Sequence, residues 1–173
     1  MSRRAQLIGL ASSFGVFALL SYMQSRKPEV SVAIGEAVID TPLVFPVDGA
    51  SNFGPTFGAP RDGHTHQGVD IFAAEGTPVR AVVSGAVVYS ENTLGGQTAT
   101  LIGADNTSYY YAHLSAYEGA ARSVRAGDVI GYVGRTGNAS QTPAHLHFEI
   151  HPHRGDAVDP YDALMVARGA KVA

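Results

Sequence analysis

Apolar and polar residues alternate most cleanly near the C-terminus. Leu146, Phe148 and Ile150 alternate with His145, His147 and Glu149. Alternate residues of a strand share a face, so this run predicts a strand with one apolar face and one face of imidazoles and a carboxylate. Val79–Val83 and Gly85–Tyr89 are β-branched-rich runs broken by Ser84-Gly85. Residues 91–96 read as a turn-rich loop. Thr98–Ile102 and Ser108–Ala112 flank an Ala104-Asp105-Asn106 turn and predict a hairpin. Val129–Val133 is a further strand. On the Ser108–Ala112 strand, continued alternation places Tyr109, Tyr111 and His113 on one face. Many short strands at close spacing predict a mainly β fold: a small antiparallel sandwich or partly open barrel with a groove. One short helix is expected over Tyr161–Ala167, ended by Gly169.

The first 27 residues differ from the rest. Ala5 to Met23 carries no charge, with Arg3-Arg4 before it and Arg26-Lys27 after it. Nineteen uncharged residues just suffice to span a bilayer as a helix. A retained signal anchor and a cleaved signal peptide both fit; the long apolar core and the lack of a closely following cleavage site favour the anchor. The expected organisation is an N-terminal transmembrane helix in residues 1–27, a connector in 28–41, one domain in 42–162 and a tail in 163–173. A domain beyond an anchor belongs in the cell envelope, outside the cytoplasm, or is secreted if the segment is cleaved.

Charge and composition narrow the function. The leader holds four cationic side chains and no acid, so the chain's net −3 becomes −7 beyond it. That balance argues against nucleic acid as a partner. Twenty glycines and nine prolines agree with a turn-rich β fold, and the absence of Cys removes disulfides from consideration.

Two histidine-bearing stretches carry the candidate chemistry. In His66-Gln67-Gly68-Val69-Asp70, a strand would place His66, Gly68 and Asp70 on one face. Gly68 would then leave room between the two ligands for an ion. With a histidine from His145-Leu146-His147, two nitrogens and one carboxylate oxygen suit zinc. Three protein ligands leave a fourth position open, the mark of a catalytic site. Each residue also has a plainer reading. His113 fits a half-buried histidine on an aromatic face, and Glu149 is either a surface carboxylate or a partner of a ligating imidazole. His64 reads as loop, and His151 and His153 as exposed rim beyond the strand end at Pro152. Gly95-Gly96 and Gly134-x-x-Gly137 read as turns, because neither has the strand–turn–helix context of a phosphate loop.

Taken together, these motifs resemble the lysostaphin-type (LytM-like) zinc metalloendopeptidases of peptidoglycan. The likeness runs from about Asp48 to Tyr161. It includes Phe57-Gly58-Ala59-Pro60-Arg61, Glu75-Gly76-Thr77-Pro78-Val79, Tyr111-Ala112-His113-Leu114, Val124-Arg125-Ala126-Gly127-Asp128 and Gly134-Arg135-Thr136-Gly137. Ala144 departs from the pattern, where proline is common. The resemblance implies a β core with a groove and one zinc ion held by His66, Asp70 and His147. It also implies catalytic histidines at His113 and His145, and peptide cross-links of the bacterial wall as substrate. The alternative is a catalytically silent relative that binds the wall or regulates another hydrolase; loss of ligand residues would identify it, and none is lost. A lipoyl-like carrier module would need a displayed lysine, and beyond Lys27 only Lys171 exists.

Overall fold

A computed structural model describes residues 32–34, 37–39 and 43–169. Fourteen strands, one α-helix and two single-turn 3-10 helices (Gly137–Ala139 and Pro152–Arg154) are present among them. They are β1 (Val32–Ile34), β2 (Ala37–Ile39), β3 (Ser51–Phe53), β4 (Pro60–Arg61), β5 (His64–Thr65), β6 (Val69–Ala73), β7 (Pro78–Arg80) and β8 (Gly85–Asn92). They continue with β9 (Gly96–Gly103), β10 (Ser108–Leu114), β11 (Ala116–Tyr117), β12 (Arg122–Val124), β13 (Val129–Tyr132), β14 (His145–His151) and helix α1 (Tyr161–Ala167). The fold is mainly β with one short C-terminal helix. Among the described residues, no helix is long and apolar enough to cross a membrane. The helix expected in residues 1–27 lies outside the described residues, as does most of the connector.

Seven strands form one antiparallel sheet in the order β12-β8-β9-β10-β14-β6-β3, and three more form β11-β13-β7. The core comes from both sheets. Val69 and Ile71 (β6), Leu101 (β9), Tyr109 and Tyr111 (β10), and Leu146, Phe148 and Ile150 (β14) point inward from the large sheet. Val79 (β7) and Ile130 (β13) meet them from the small one. The Tyr111 hydroxyl is fully buried and accepts a hydrogen bond from Val82 N–H at 3.1 Å, which satisfies a polar group that burial would otherwise penalise. Helix α1 crosses the expected 162/163 division and buries Ala163 and Leu164 in the core.

Four sequence-based expectations change here. The segment expected to loop over 91–96 is strand at both ends: β8 reaches Asn92, β9 starts at Gly96, and the two residues pair. Glu91 and Asn92 face solvent, so no apolar alternation marked that extension. The Val79–Val83 run is strand only as far as Arg80; Ala81, Val82 and Val83 are buried but leave the ladder. His64 lies in β5, paired with Arg61, rather than in loop. Finally, β10 does not keep its alternation. Tyr111 pairs with Ala99 and Leu114 with Gln97, so Ala112 and His113 together oppose Thr98. This β-bulge shifts the parity by one. Leu114 takes the core side, and His113 turns to the opposite face instead of joining Tyr109 and Tyr111.

Candidate metal centre

The outer face of β10, β14 and β6, together with the β4–β5 ribbon and the loops after β8 and β13, walls a cavity of about 790 Å³. His66, Asp70, His113, His145 and His147 all line it. Strand β14 supplies His145 and His147 from one face while Leu146, Phe148 and Ile150 fill the core. β6 pairs with it in register, setting Asp70 directly opposite His147.

His66 arrives differently from the expectation. It precedes β6 and lies in the segment between β5 and β6, its backbone bonded to Gly58 and Ala59. Gly68 also has another purpose. A Cβ there would collide with the Phe148 carbonyl, lying 2.9 Å from its carbon and 3.0 Å from Glu149 Cγ. The glycine lets the chain pass tightly over β14; it does not open space for an ion.

Three atoms converge. His66 Nε2 is 2.9 Å from His147 Nδ1 and 3.0 Å from Asp70 Oδ1, and His147 Nδ1 is 3.0 Å from the same oxygen. Among the described residues these three form a group close enough to share one ion. Hydrogen bonds on the far side of each ring fix what points inward. His66 Nδ1–H donates to the Thr56 carbonyl (2.8 Å), and His147 Nε2–H donates to Glu149 Oε1 (2.7 Å). Each ring, when neutral, therefore turns a lone pair toward the triangle. Two lone pairs and a carboxylate oxygen at such spacing repel unless a cation sits among them. The donor set fits a metal ion: two imidazole nitrogens and one carboxylate, oriented by outer hydrogen bonds.

The electrostatics agree. Burial opposes charge on Asp70, but hydrogen bonds from His147 and His66 outweigh it and hold the carboxyl well below the usual carboxylate range. Burial likewise works against a charged His147, yet Asp70 and Glu149 raise it to about 9. Glu149, despite its burial, is lowered to about 2 by His147 and His151. Asp70's second oxygen accepts from Arg61 at 3.1 Å.

Two more imidazoles stand beside the triangle. His145 Nε2 is 3.9 Å from Asp70 Oδ1, and the His113 and His145 rings pack at 4.9 Å between centroids. His145 Nδ1–H donates to the Pro143 carbonyl and His113 Nδ1–H to the Thr136 carbonyl, both at 2.9 Å. Each leaves Nε2 as an acceptor. Burial, then the neighbouring His145, pushes His113 down to about 4, so it stays neutral near pH 7.

His151 is not a plain rim residue. It is half-buried and bonds Glu149 Oε2 at 2.7 Å, extending the line from His147 through Glu149. His153 is exposed, as expected. Sequence reasoning gave no site role to Thr56, Arg61 or Thr136, and it placed His151 on the exposed rim although that residue shares the parity of Glu149. Arg61 and Thr136 stood within quoted motifs; nothing local marked Thr56.

A two-sheet β fold with a His/Asp/His centre in a groove, flanked by two further histidines, has the form of a metallohydrolase. Residues 64–160 match peptidase family M23, more than half of the chain, and the chain belongs to that family. Over 101 residues it is 42% identical to the DD-carboxypeptidase/endopeptidase Mpg of Neisseria meningitidis, covering 58% of this chain and 23% of that protein. It is 31% identical over 176 residues to the L-Ala–D-Glu endopeptidase of Bacillus subtilis, covering 94% and 51%. The catalytic domain of lysostaphin from Staphylococcus simulans superposes with a TM-score of 0.59 at 35% identity, over 66% of this chain and 92% of that one. The chain thus spans from under a quarter to about half the length of these two curated relatives.

Proposed function

We propose that this protein is a zinc-dependent endopeptidase that hydrolyses peptide cross-links of bacterial peptidoglycan. The observation that carries the reading is the triangle of His66 Nε2, Asp70 Oδ1 and His147 Nδ1 beside two histidines with free Nε2 atoms. His66, Asp70 and His147 would hold the ion. When bound, zinc polarises a carbonyl and lowers the pKa of water toward neutrality. His113 and His145, each with Nδ1–H tied to a backbone carbonyl, present Nε2 to take a proton from the attacking water. The protonated ring can then donate to the developing oxyanion or the leaving amine. Similarity to the Bacillus and Neisseria enzymes supports wall peptides as the substrate class.

The same reading gives the chain an envelope location, with residues 1–27 as anchor, 28–41 as connector and the domain beyond them outside the cytoplasm. A mature protein whose sequence starts near Glu29 or Ile34 would replace the anchor with a signal peptide. The functional test is incubation of the purified protein with cross-linked peptidoglycan, with and without a chelator, followed by identification of the products. Chelator-sensitive release of new peptide termini is expected. Intact cross-links after incubation with the zinc-loaded protein would overturn the assignment and favour a silent wall-binding relative.

A further inference from the structure

Arg61 is placed to do more than hold Asp70. It sits on the β4–β5 ribbon at the cavity wall, paired with His64 across the turn at Gly63, whose φ is +74°. Among the described residues, it is the one Lys or Arg that lines the cavity. The two acids there are already engaged: Asp70 by His66, His147 and Arg61, and Glu149 by His147 and His151. Arg61 itself uses one nitrogen on Asp70 Oδ2, and its side chain stays about a third exposed. Among the described residues, its other N–H groups meet no protein acceptor. A guanidinium carries five donors in a planar fork that matches a carboxylate.

We infer that Arg61 recognises a carboxylate of the substrate on a residue that flanks the scissile bond. This rests on the proposed hydrolysis, and it narrows the substrate class to peptides with a free carboxylate beside the cleaved bond. Distance supplies the register. The guanidinium touches one oxygen of Asp70 while the other oxygen is a vertex of the metal triangle. An extended peptide advances about 3.3 Å per residue, so a group paired with Arg61 belongs to a residue next to the bond held at the triangle. The carboxylate is either a terminal α-carboxylate or a side-chain one; both offer the same two-oxygen acceptor.

The test uses short cross-link peptides in three forms: carboxylates free, terminal carboxylate amidated, and side-chain carboxylate amidated. Both kcat/KM and Kd, the latter by calorimetry, are measured for the full-length wild type, Arg61→Gln and Arg61→Lys, with metal content checked in each. The wild type should favour the free form over one amidated form by about ten- to a hundredfold, the range of a charge-assisted pair, and that form identifies the carboxylate. Arg61→Gln should lose the preference, and Arg61→Lys should keep part of it. Equal Kd and kcat/KM for all three peptides in the wild type would overturn the inference. So would a uniform loss in Arg61→Gln that leaves the preference intact, which would make Arg61 a tether of Asp70 alone. A wild type that cleaves every form equally leaves hydrolysis standing and sinks this inference. One that binds with the preference but cleaves nothing does the reverse.

Discussion

His113 donates its Nδ1–H to the carbonyl oxygen of Thr136 at 2.9 Å, and Thr136 is itself pinned from two sides. Its Oγ1 donates to the Leu114 carbonyl at 2.8 Å and accepts from Gln97 N–H at 2.9 Å. One threonine therefore joins β9, β10 and the loop after β13 around a histidine whose φ is +66°. A non-glycine residue in that region costs about 1–2 kcal/mol, so it persists only where its surroundings hold it. The Thr136 hydroxyl and the His113 N–H bond to Gly95 O are what do so here.

Thr136→Ala should thus misplace His113 without touching the triangle. We expect metal content to stay at wild-type level and kcat to fall by about tenfold or more, with KM little changed. Thr136→Ser, which keeps the hydroxyl, should recover most of the rate. Equal kcat in Thr136→Ala and wild type would show that His113 needs no such support.

The triangle makes its own prediction. Replacing His66, Asp70 or His147 with Ala removes one of three converging ligands, and each variant should lose most of its metal affinity. His64→Ala and His153→Ala should bind metal as the wild type does, since His64 Nδ1 is bonded to the Asp62 carbonyl and His153 is exposed. Metal analysis by mass spectrometry settles the matter; full occupancy in His147→Ala would remove it from the ligand set.

Much of this site was legible because β14 is a regular strand. Leu146, Phe148 and Ile150 had to face the core, so His145, His147 and Glu149 had to face away, and pairing with β6 brought Asp70 across. The departures came where the backbone breaks its period. The bulge at Ala112–His113 reversed a parity argument, and nothing in Tyr109-Tyr110-Tyr111-Ala112-His113 announces an extra residue. His66 lies before β6, so its arrival depends on backbone bonds to Gly58 and Ala59, eight and seven residues earlier, and not on strand alternation. The partnerships of Arg61 and Thr136 are set by tertiary structure, and motif spacing does not show which side chain a guanidinium or hydroxyl will meet; His151 and Glu149 are alternate residues at the end of β14, and their shared parity was the available signal.

Gly68 gives a prediction about stability rather than chemistry. A methyl group there would press on the Phe148 carbonyl and Glu149 Cγ, both parts of β14 that cannot retreat without disturbing His147. Gly68→Ala should lower stability by about 1–3 kcal/mol, the usual range for overpacking. Thermal unfolding of the metal-free protein tests this; an unchanged midpoint would mean that the strands separate at little cost.

Acidification should weaken the metal-free protein partly through His113. Its ring is pushed down to about 4 in the folded state by burial and by His145, against 6.5 ordinarily. Between those values the unfolded chain binds the proton and the folded chain does not, so stability falls as pH drops from 6.5 toward 4 and is unaffected by this group above 6.5. With partial solvent access allowed for, the loss is on the order of 1–2 kcal/mol. Denaturant unfolding at pH 7 and pH 4.5 should show a smaller drop for His113→Gln than for the wild type, and equal drops would contradict the assignment.

The last prediction separates holding the ion from handling protons. His145 and His147 share a strand face, yet only His147 contributes an atom to the triangle; His145 Nε2 stands 3.9 Å from Asp70 Oδ1. His113 reaches the same place from β10 by way of the bulge, its ring 4.9 Å from His145 and 6.0 Å from His147 between centroids. Removing either flanking ring leaves all three converging ligands and their outer hydrogen bonds to Thr56 and Glu149 in place. A proton-handling group contributes about 10²–10⁴-fold to rate. His113→Ala and His145→Ala should each keep stoichiometric metal and fold normally, while peptide cleavage falls by about that factor. Metal content and cleavage rate must be measured on the same preparations. A His145→Ala protein without metal would move His145 into the ligand set, and one that holds metal and cleaves at full rate would remove it from the chemistry.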